Sequence, residues 1–356
     1  MRLSTSTIST LLCFSFQLNT QASPTPYSLP ANVSQHLPLP LPVQVIHQFP
    51  PGTWLENLAV QSSGDILVTL LTSPDIYQID PSQQRAPLLI HSFTPYLGLL
   101  GITELQPNIF YLAAGNASYT ALDSPGTWAI FELDLTQGAT APRVTKIADF
   151  PNAHLLNGLT TLSVSSGTLL VADSLAGVVY RLDTRTGQSA IVIDDPSLKG
   201  YPGINSSTTT PNLGINGIKI RHGSLYFTNS ALAQLVRIPI HADGTPRGPA
   251  VVLSRDVSFP DDFVLDHEGN AFVAEIGVNN LALVRLGNGG AKTVLAGAPL
   301  EDPGVLAGPT AVEFGRGRAE RRRLYITTSG GLASGLANRT LGGTLSRVEV
   351  GGTGWF

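Results

Sequence analysis

The sequence predicts an all-β fold: a six-bladed β-propeller closed by an N-terminal strand in the last blade. Three observations predict it. A pattern of short apolar strands recurs six times between residues 56 and 350. No segment carries the 3.6-residue apolar period of a long helix. The 356 residues include 36 Gly and 26 Pro, with 42% hydrophobic and only 13% charged side chains. That combination suits many short strands joined by turns around a large core.

Each repeat opens with a short apolar strand introduced by a polar residue or a turn. A turn with Gly or Asn follows, then a strand of the type Leu-x-Val/Phe-Ala/Thr. A third strand often ends in an apolar–basic–apolar run. The first repeat reads 56–60, 64–69 and 76–80; the fourth reads 216–218, 224–229 and 235–238. Repeat starts at 56, 100, 157, 216, 261 and 310 are 44 to 59 residues apart, the length of a propeller blade. The last repeat lacks an outer strand, and residues 43–49 alternate like one. Placing 43–49 in the sixth blade closes the ring and leaves no open sheet edge. Two separate halves of three repeats would each leave such edges.

The domain organisation follows. Residues 1–22 read as a signal peptide: Arg2, an apolar stretch from Ile8 to Phe16, and small Ala22 at the exit. A Pro-rich extended arm is expected over 23–41, the propeller over 42–350, and a tail over 351–356. The implied location is outside the cell or in the secretory lumen. Cys13 and Met1, the sole cysteine and methionine, lie within the leader. The mature chain would then have no disulfide and no thiolate nucleophile or ligand. Sequons at Asn32, Asn116, Asn205 and Asn338 are expected glycosylation sites. A net charge of −4 gives no basic footprint for nucleic acid, and no apolar run beyond the leader suits a membrane span. A monomer acting on a small molecule is the expectation.

The chemistry is expected on the ring axis, which the innermost strands line. The residues that open them form a column: Glu56, Leu100, Asn157, Asn216, Asp261 and Thr310. Two carboxylates and two carboxamides converging on one point suit a hard cation, Ca²⁺ foremost, then Mg²⁺ or Mn²⁺. Turn chemistry is the other reading of Asn-Gly and Asp-Asp at strand starts. Asp173, Asn229, Glu275 and Thr328 close the second strands in register and are read as structural. The 196–214 connection is either a lid or a surface loop. The five arginines between 316 and 323 are read as a solvated hairpin tip.

This column resembles the metal-binding set of the SMP-30/gluconolactonase propellers. The resemblance implies that Glu56, Asn157, Asn216 and Asp261 hold a divalent ion. Pro260-Asp261-Asp262-Phe263 departs from the pattern, with Asp262 where that family has Gly. The segments Phe49-Pro50-Pro51-Gly52-Thr53-Trp54-Leu55-Glu56-Asn57, Leu155-Leu156-Asn157-Gly158-Leu159, Ala172-Asp173-Ser174 and Gly214-Ile215-Asn216-Gly217-Ile218 are more closely similar to secreted fungal propellers. That group includes hetero-Diels–Alderases of tropolone–sesquiterpenoid biosynthesis.

Three functions stay open. In a cyclase, an apolar funnel would hold a reactive enone or quinone methide beside an alkene. Asn157, Asn216 or His154 would donate hydrogen bonds to the carbonyl oxygen. In a lactonase or esterase, the ion would act as a Lewis acid with Asp261 or Asp262 as general base. A binding protein would hold its ligand unchanged. Trp54, Leu100, Thr310 and Tyr201 are the expected substrate contacts. They suit an apolar substrate better than a sugar lactone, which would call for more charge at the mouth than Lys199 and Lys219 supply.

Overall fold

The computed structural model describes residues 38–204, 212–297, 306–317, 320–333 and 341–351. The leader, Asn32, Asn205, Asn338, Arg318 and the tail beyond Gly351 lie outside them. Six four-stranded antiparallel sheets form the blades of a propeller. Their inner strands are Leu55–Val60, Gly98–Gln106, Leu156–Ser163, Ile215–Arg221, Pro260–Leu265 and Pro309–Phe314. Each packs on the inner strand of the next blade, and that of blade 6 on that of blade 1.

The strand Val43–Gln48 pairs antiparallel with Thr344–Glu349 and supplies the fourth strand of blade 6. Ile46 and Phe49 are buried there with Leu55, Tyr325 and Leu345, so one core cluster spans the closure. Burial of each such side chain contributes roughly 2–3 kcal/mol. The core also extends before the closing strand: Leu41 is buried, and its N–H donates to the Leu295 carbonyl at 2.6 Å.

Burial falls from the axis outwards. Every residue of Leu55–Val60 is buried, whereas half of the outer strand Arg143–Phe150 is exposed. All six inner strands shift register at their first residues, where the column lies. A bulge at this place turns a side chain that the ladder would otherwise direct into the blade interface. The glycines after the column residues serve the same crowding. A Cβ on Gly101 would lie 2.1 Å from the Asn157 carbonyl oxygen, and one on Gly158 would lie 2.4 Å from that of Asn216. Neither glycine has positive φ. The Asn-Gly pairs therefore stand in bulged strands pressed against the next blade, which is a correction to the turn reading. Hydroxyls tie the blades together: Thr69 Oγ1 donates to the Leu100 carbonyl at 2.7 Å, and Thr228 Oγ1 to that of Asp261 at 2.5 Å.

A Cβ on Gly217 would meet Asp262 Oδ1 at 2.2 Å and Asp262 Cα at 2.7 Å, while one on Gly287 meets nothing within 4 Å. Gly217→Ala is therefore expected to destabilise the fold by about 2 kcal/mol or more. Gly287→Ala should stay within about 0.5 kcal/mol. Denaturant unfolding of the two variants checks this.

Candidate active site

All six blades contribute to one cavity of about 380 Å³ at the start of the inner strands. Its polar base is Glu56, Asn157, Asn216 and Asp261, the carboxylate and carboxamide column residues the sequence singled out, and all four are buried. Leu100 lines it as expected. Trp54 also lines it, and its indole N–H donates to Glu56 Oε2 at 2.5 Å. The amides are held by neighbours. Asn157 Nδ2 donates to Asn216 Oδ1 at 2.8 Å, and Asn216 Nδ2 to Ser230 Oγ at 2.9 Å. Ser230 Oγ in turn donates to the Pro260 carbonyl at 2.7 Å.

The walls are apolar: Leu155, Leu213, Phe259, Leu71 and Ile276, with Tyr119 and Leu122 from the loop before Trp128–Asp134. Sequence reasoning missed these, although a signal exists. Trp54, Leu155, Leu213 and Phe259 each stand two or three residues before a column residue. The strand start that turns a polar group to the base thus places a large apolar one above it. Leu213 belongs to the 196–214 connection. That segment is anchored by Leu198, which is buried, and by Asn229 Nδ2, which donates to the Ser197 and Lys199 carbonyls.

Several expected site residues lie elsewhere. Thr310 is fully buried outside the cavity lining, and its hydroxyl donates to the Leu55 carbonyl at 2.7 Å. It joins blades and has no free group for substrate. His154 shares the loop of the lining residue Leu155 but is not itself in the lining; its Nδ1 lies 2.9 Å from Asp123 Oδ1 at the surface. Tyr201 is exposed and does not line the cavity; Tyr119 is the tyrosine that does. Lys199 pairs with Asp194 at 2.7 Å. Asn116 is exposed on the loop that carries Tyr119 and Leu122.

Asp262 is buried outside the cavity lining. Its carboxylate accepts from Lys219 Nζ at 3.1 Å, Asn57 Nδ2 at 3.1 Å and the Phe263 N–H at 2.7 Å. Lys219 thus neutralises the extra acid instead of standing at the mouth. Burial pushes the Lys219 ammonium down, but Asp262 and Glu313 outweigh it and the net shift is upward. Of the second-strand ends, Asp173 ties down the loop before the third inner strand. Asp173 accepts the N–H groups of His154 at 2.8 Å and Leu155 at 3.0 Å. Among the arginines, Arg316 pairs with Glu104 and Arg323 with Glu320 and Glu349.

The base of the cavity has a different balance. Among the described residues, no Lys, Arg or His lines it. Burial raises Glu56 to about 7, against the Trp54 hydrogen bond and with the help of Asp262. Asp261 is raised well above its ordinary value by burial, then by Glu56 and Asp262. Two carboxylates without a counter-charge take up a proton. A larger recess of about 630 Å³ lies at the opposite ends of the inner strands of blades 1 and 2. Its Arg85 is paired with both Asp65 and Asp80, so its charges are already satisfied. The axial cavity is the better site.

Comparisons with known proteins agree with this architecture. No family model matches the chain. A candidate hetero-Diels–Alderase from a Phoma species is 30% identical over 315 residues, covering 81% of this chain and 87% of that protein. The chain belongs to this hetero-Diels–Alderase-like family. A second relative of the same designation, from Sarocladium schorii, is 28% identical over 82% of this chain and 79% of its own length. Among solved structures, a luciferin-regenerating enzyme superposes with a TM-score of 0.62 at 17% identity, over 89% of this chain and 97% of its own. Regucalcin from Agrobacterium tumefaciens, a calcium-binding protein, gives 0.58 at 18% identity, over 88% and 96%. These two share the six-bladed fold of SMP-30-like propellers.

The raised carboxyls make stability depend on pH. Folding holds a proton that the unfolded chain releases at ordinary carboxylate pKa values. The native state is therefore favoured at low pH, and stability falls as pH rises from about 4.5 to the Glu56 value of about 7. Glu56→Gln should remove part of this slope, gaining roughly 1–3 kcal/mol over the wild type at pH 8 relative to pH 5. Unfolding at the two pH values, in chelator, reads it directly.

Proposed function

We propose that the chain is a hetero-Diels–Alderase or related cyclase. It would hold a reactive enone or quinone methide beside an alkene in the axial cavity. The observation that carries this reading is an apolar-walled cavity with an uncompensated, protonatable carboxyl pair at its base. The relatives' designation supports a Diels–Alderase-like role for the family.

The reaction joins an O=C–C=C unit to a C=C bond. One C–O and one C–C σ bond form as the three π bonds of the partners give way to one new C=C bond, and no atom leaves. The walls supply proximity, worth up to roughly 10 kcal/mol when both partners are held in an attacking pose. Negative charge grows on the carbonyl oxygen as the bonds form. The proton shared by Glu56 and Asp261 meets that charge as a hydrogen bond, a role open only to a carboxyl kept neutral. Trp54 orients Glu56, and the Asn157–Asn216–Ser230 chain orients the amides beside Asp261.

Metal-dependent lactone hydrolysis is the second reading, favoured by the same lack of counter-charge. The donor set fits a hard divalent cation: buried Glu56 and Asp261 supply the charge, and Asn157 and Asn216 the neutral oxygens. Bound there, such an ion supplies Lewis-acid polarisation of a carbonyl and a more acidic water.

Two measurements separate the readings. Purified protein is incubated with a quinone methide precursor and an electron-rich alkene, and the enantiomeric excess of the adduct is compared with the uncatalysed reaction. The cyclase reading expects an excess that survives chelation and a roughly 10²-fold rate loss in Glu56→Gln or Asp261→Asn. Elemental analysis and melting with added Ca²⁺ at pH 8 supply readouts independent of activity. One ion per chain, absent in Asp261→Asn, together with lactonase activity lost in chelator, would replace the cyclase by the hydrolase. A racemic adduct formed at the background rate would overturn the cyclase reading.

A further inference from the structure

We propose that Phe259 is the specificity-determining wall of the axial cavity and that Glu275 is the positioning residue that sets its pose. The inference rests on the reading that this cavity binds the substrate.

Phe259 has φ +43° and precedes Pro260. Positive φ is unusual for a bulky residue, and a following proline narrows its backbone freedom further. Such a conformation persists only where surrounding contacts enforce it, and it concentrates at functional sites. Here the ring is half-buried, lines the cavity, and packs against the buried cluster that contains Leu100, Leu155 and Leu213. Two residues later comes Asp261 in the cavity base. The ring and the reacting end of the site are thus fixed by one short segment.

Two contacts enforce the pose. Glu275 ends the second strand of blade 5, and its side chain is 0% exposed. Its Oε1 accepts the Ser258 N–H at 2.7 Å and an ion pair from Lys292 at 3.2 Å. Lys292 also holds Asp256 at 3.2 Å, so both ends of the short segment before Phe259 are tied to one cation–carboxylate unit. Glu275 Oε2 has no partner among the described residues. Keeping a half-satisfied carboxylate in the interior is costly, and a leucine there would lose the bond to Ser258. The second contact is Gly277, which also lines the cavity: a Cβ there would lie 2.9 Å from Phe259 Cβ. Glycine leaves room for the ring to stand where it does.

The test uses binding, so it needs no turnover. Quenching of Trp54 fluorescence, assigned with Trp54→Phe, reports the dissociation constants of two probes: two-ring 1,4-naphthoquinone and three-ring 9,10-phenanthrenequinone. Phe259→Ala is expected to shift the ratio of the two constants at least fivefold towards the larger probe. Glu275→Ala should shift it in the same direction with Phe259 intact. Glu275→Gln should stay within twofold of wild type, since its amide oxygen still accepts from Ser258. An unchanged ratio in Phe259→Ala overturns the wall. A folded Glu275→Ala with the wild-type ratio overturns the positioning role. If Glu275→Ala does not fold, Gly277→Ala replaces it, and a ratio within twofold of wild type in that variant overturns the claim that the ring's pose matters. Failure of both probes to bind wild type overturns the cavity reading itself, and this inference with it.

Discussion

Six inner strands crowd around one axis, and the rest of the molecule follows from how they fit. The blades approach so closely that Gly101, Gly158 and Gly217 have no room for a methyl group. The strands relieve the crowding with a bulge at their first residues, and in five of the six blades the bulge turns the opening side chain towards the centre. Hydroxyls of Thr69, Thr228 and Thr310 pair with carbonyls of the neighbouring blade. Backbone groups exposed by the bulges thereby keep partners. The chemistry at the centre is a consequence of this packing.

The electrostatics separates into two layers. Asp262, one residue on from the column, meets Lys219 and Asn57, and its charge is answered inside the protein. Glu56 and Asp261 have the Trp54 indole and the Asn216 amide as hydrogen-bond partners and otherwise face acids: each other and Asp262. The three acids are buried to a similar degree, and what sets Asp262 apart is the cation beside it. The unanswered layer faces the cavity. A site that lacks a fixed positive charge there takes a proton, a metal or a polarised substrate, and each of those is a route to catalysis. Apolar walls favour a substrate whose reacting end alone is polar.

Periodicity made the blades readable because each repeats one supersecondary unit. The closing strand was readable because the last repeat lacked one and residues 43–49 alternated. The column was readable because the bulge sits at the same place in every blade. Thr310 shows the limit of that register: it occupies the column, yet its hydroxyl turns to the Leu55 carbonyl instead of the axis. Tyr119 and Leu122 were not readable, since the connection between second and third strands that carries them is only a short turn in blades 1, 3, 4 and 5. His154 lies beside the lining residue Leu155, but its ring pairs with Asp123 at the surface, a direction that sequence distance from Asn157 does not give. Asp262 stood out as a departure, but its partner Lys219 lies 43 positions away, and only the fold brings the two together.

The proposed catalysis requires Glu56 and Asp261 to share a proton at neutral pH. Infrared titration of the chelated protein, following the carbonyl stretch of neutral carboxylic acids, tests it most directly. A shared proton gives an acid band that persists above pH 6, titrates near the Glu56 value of about 7, and is lost in Glu56→Gln. Complete ionisation of every carboxyl by about pH 5.5, as for ordinary Asp and Glu, would contradict it.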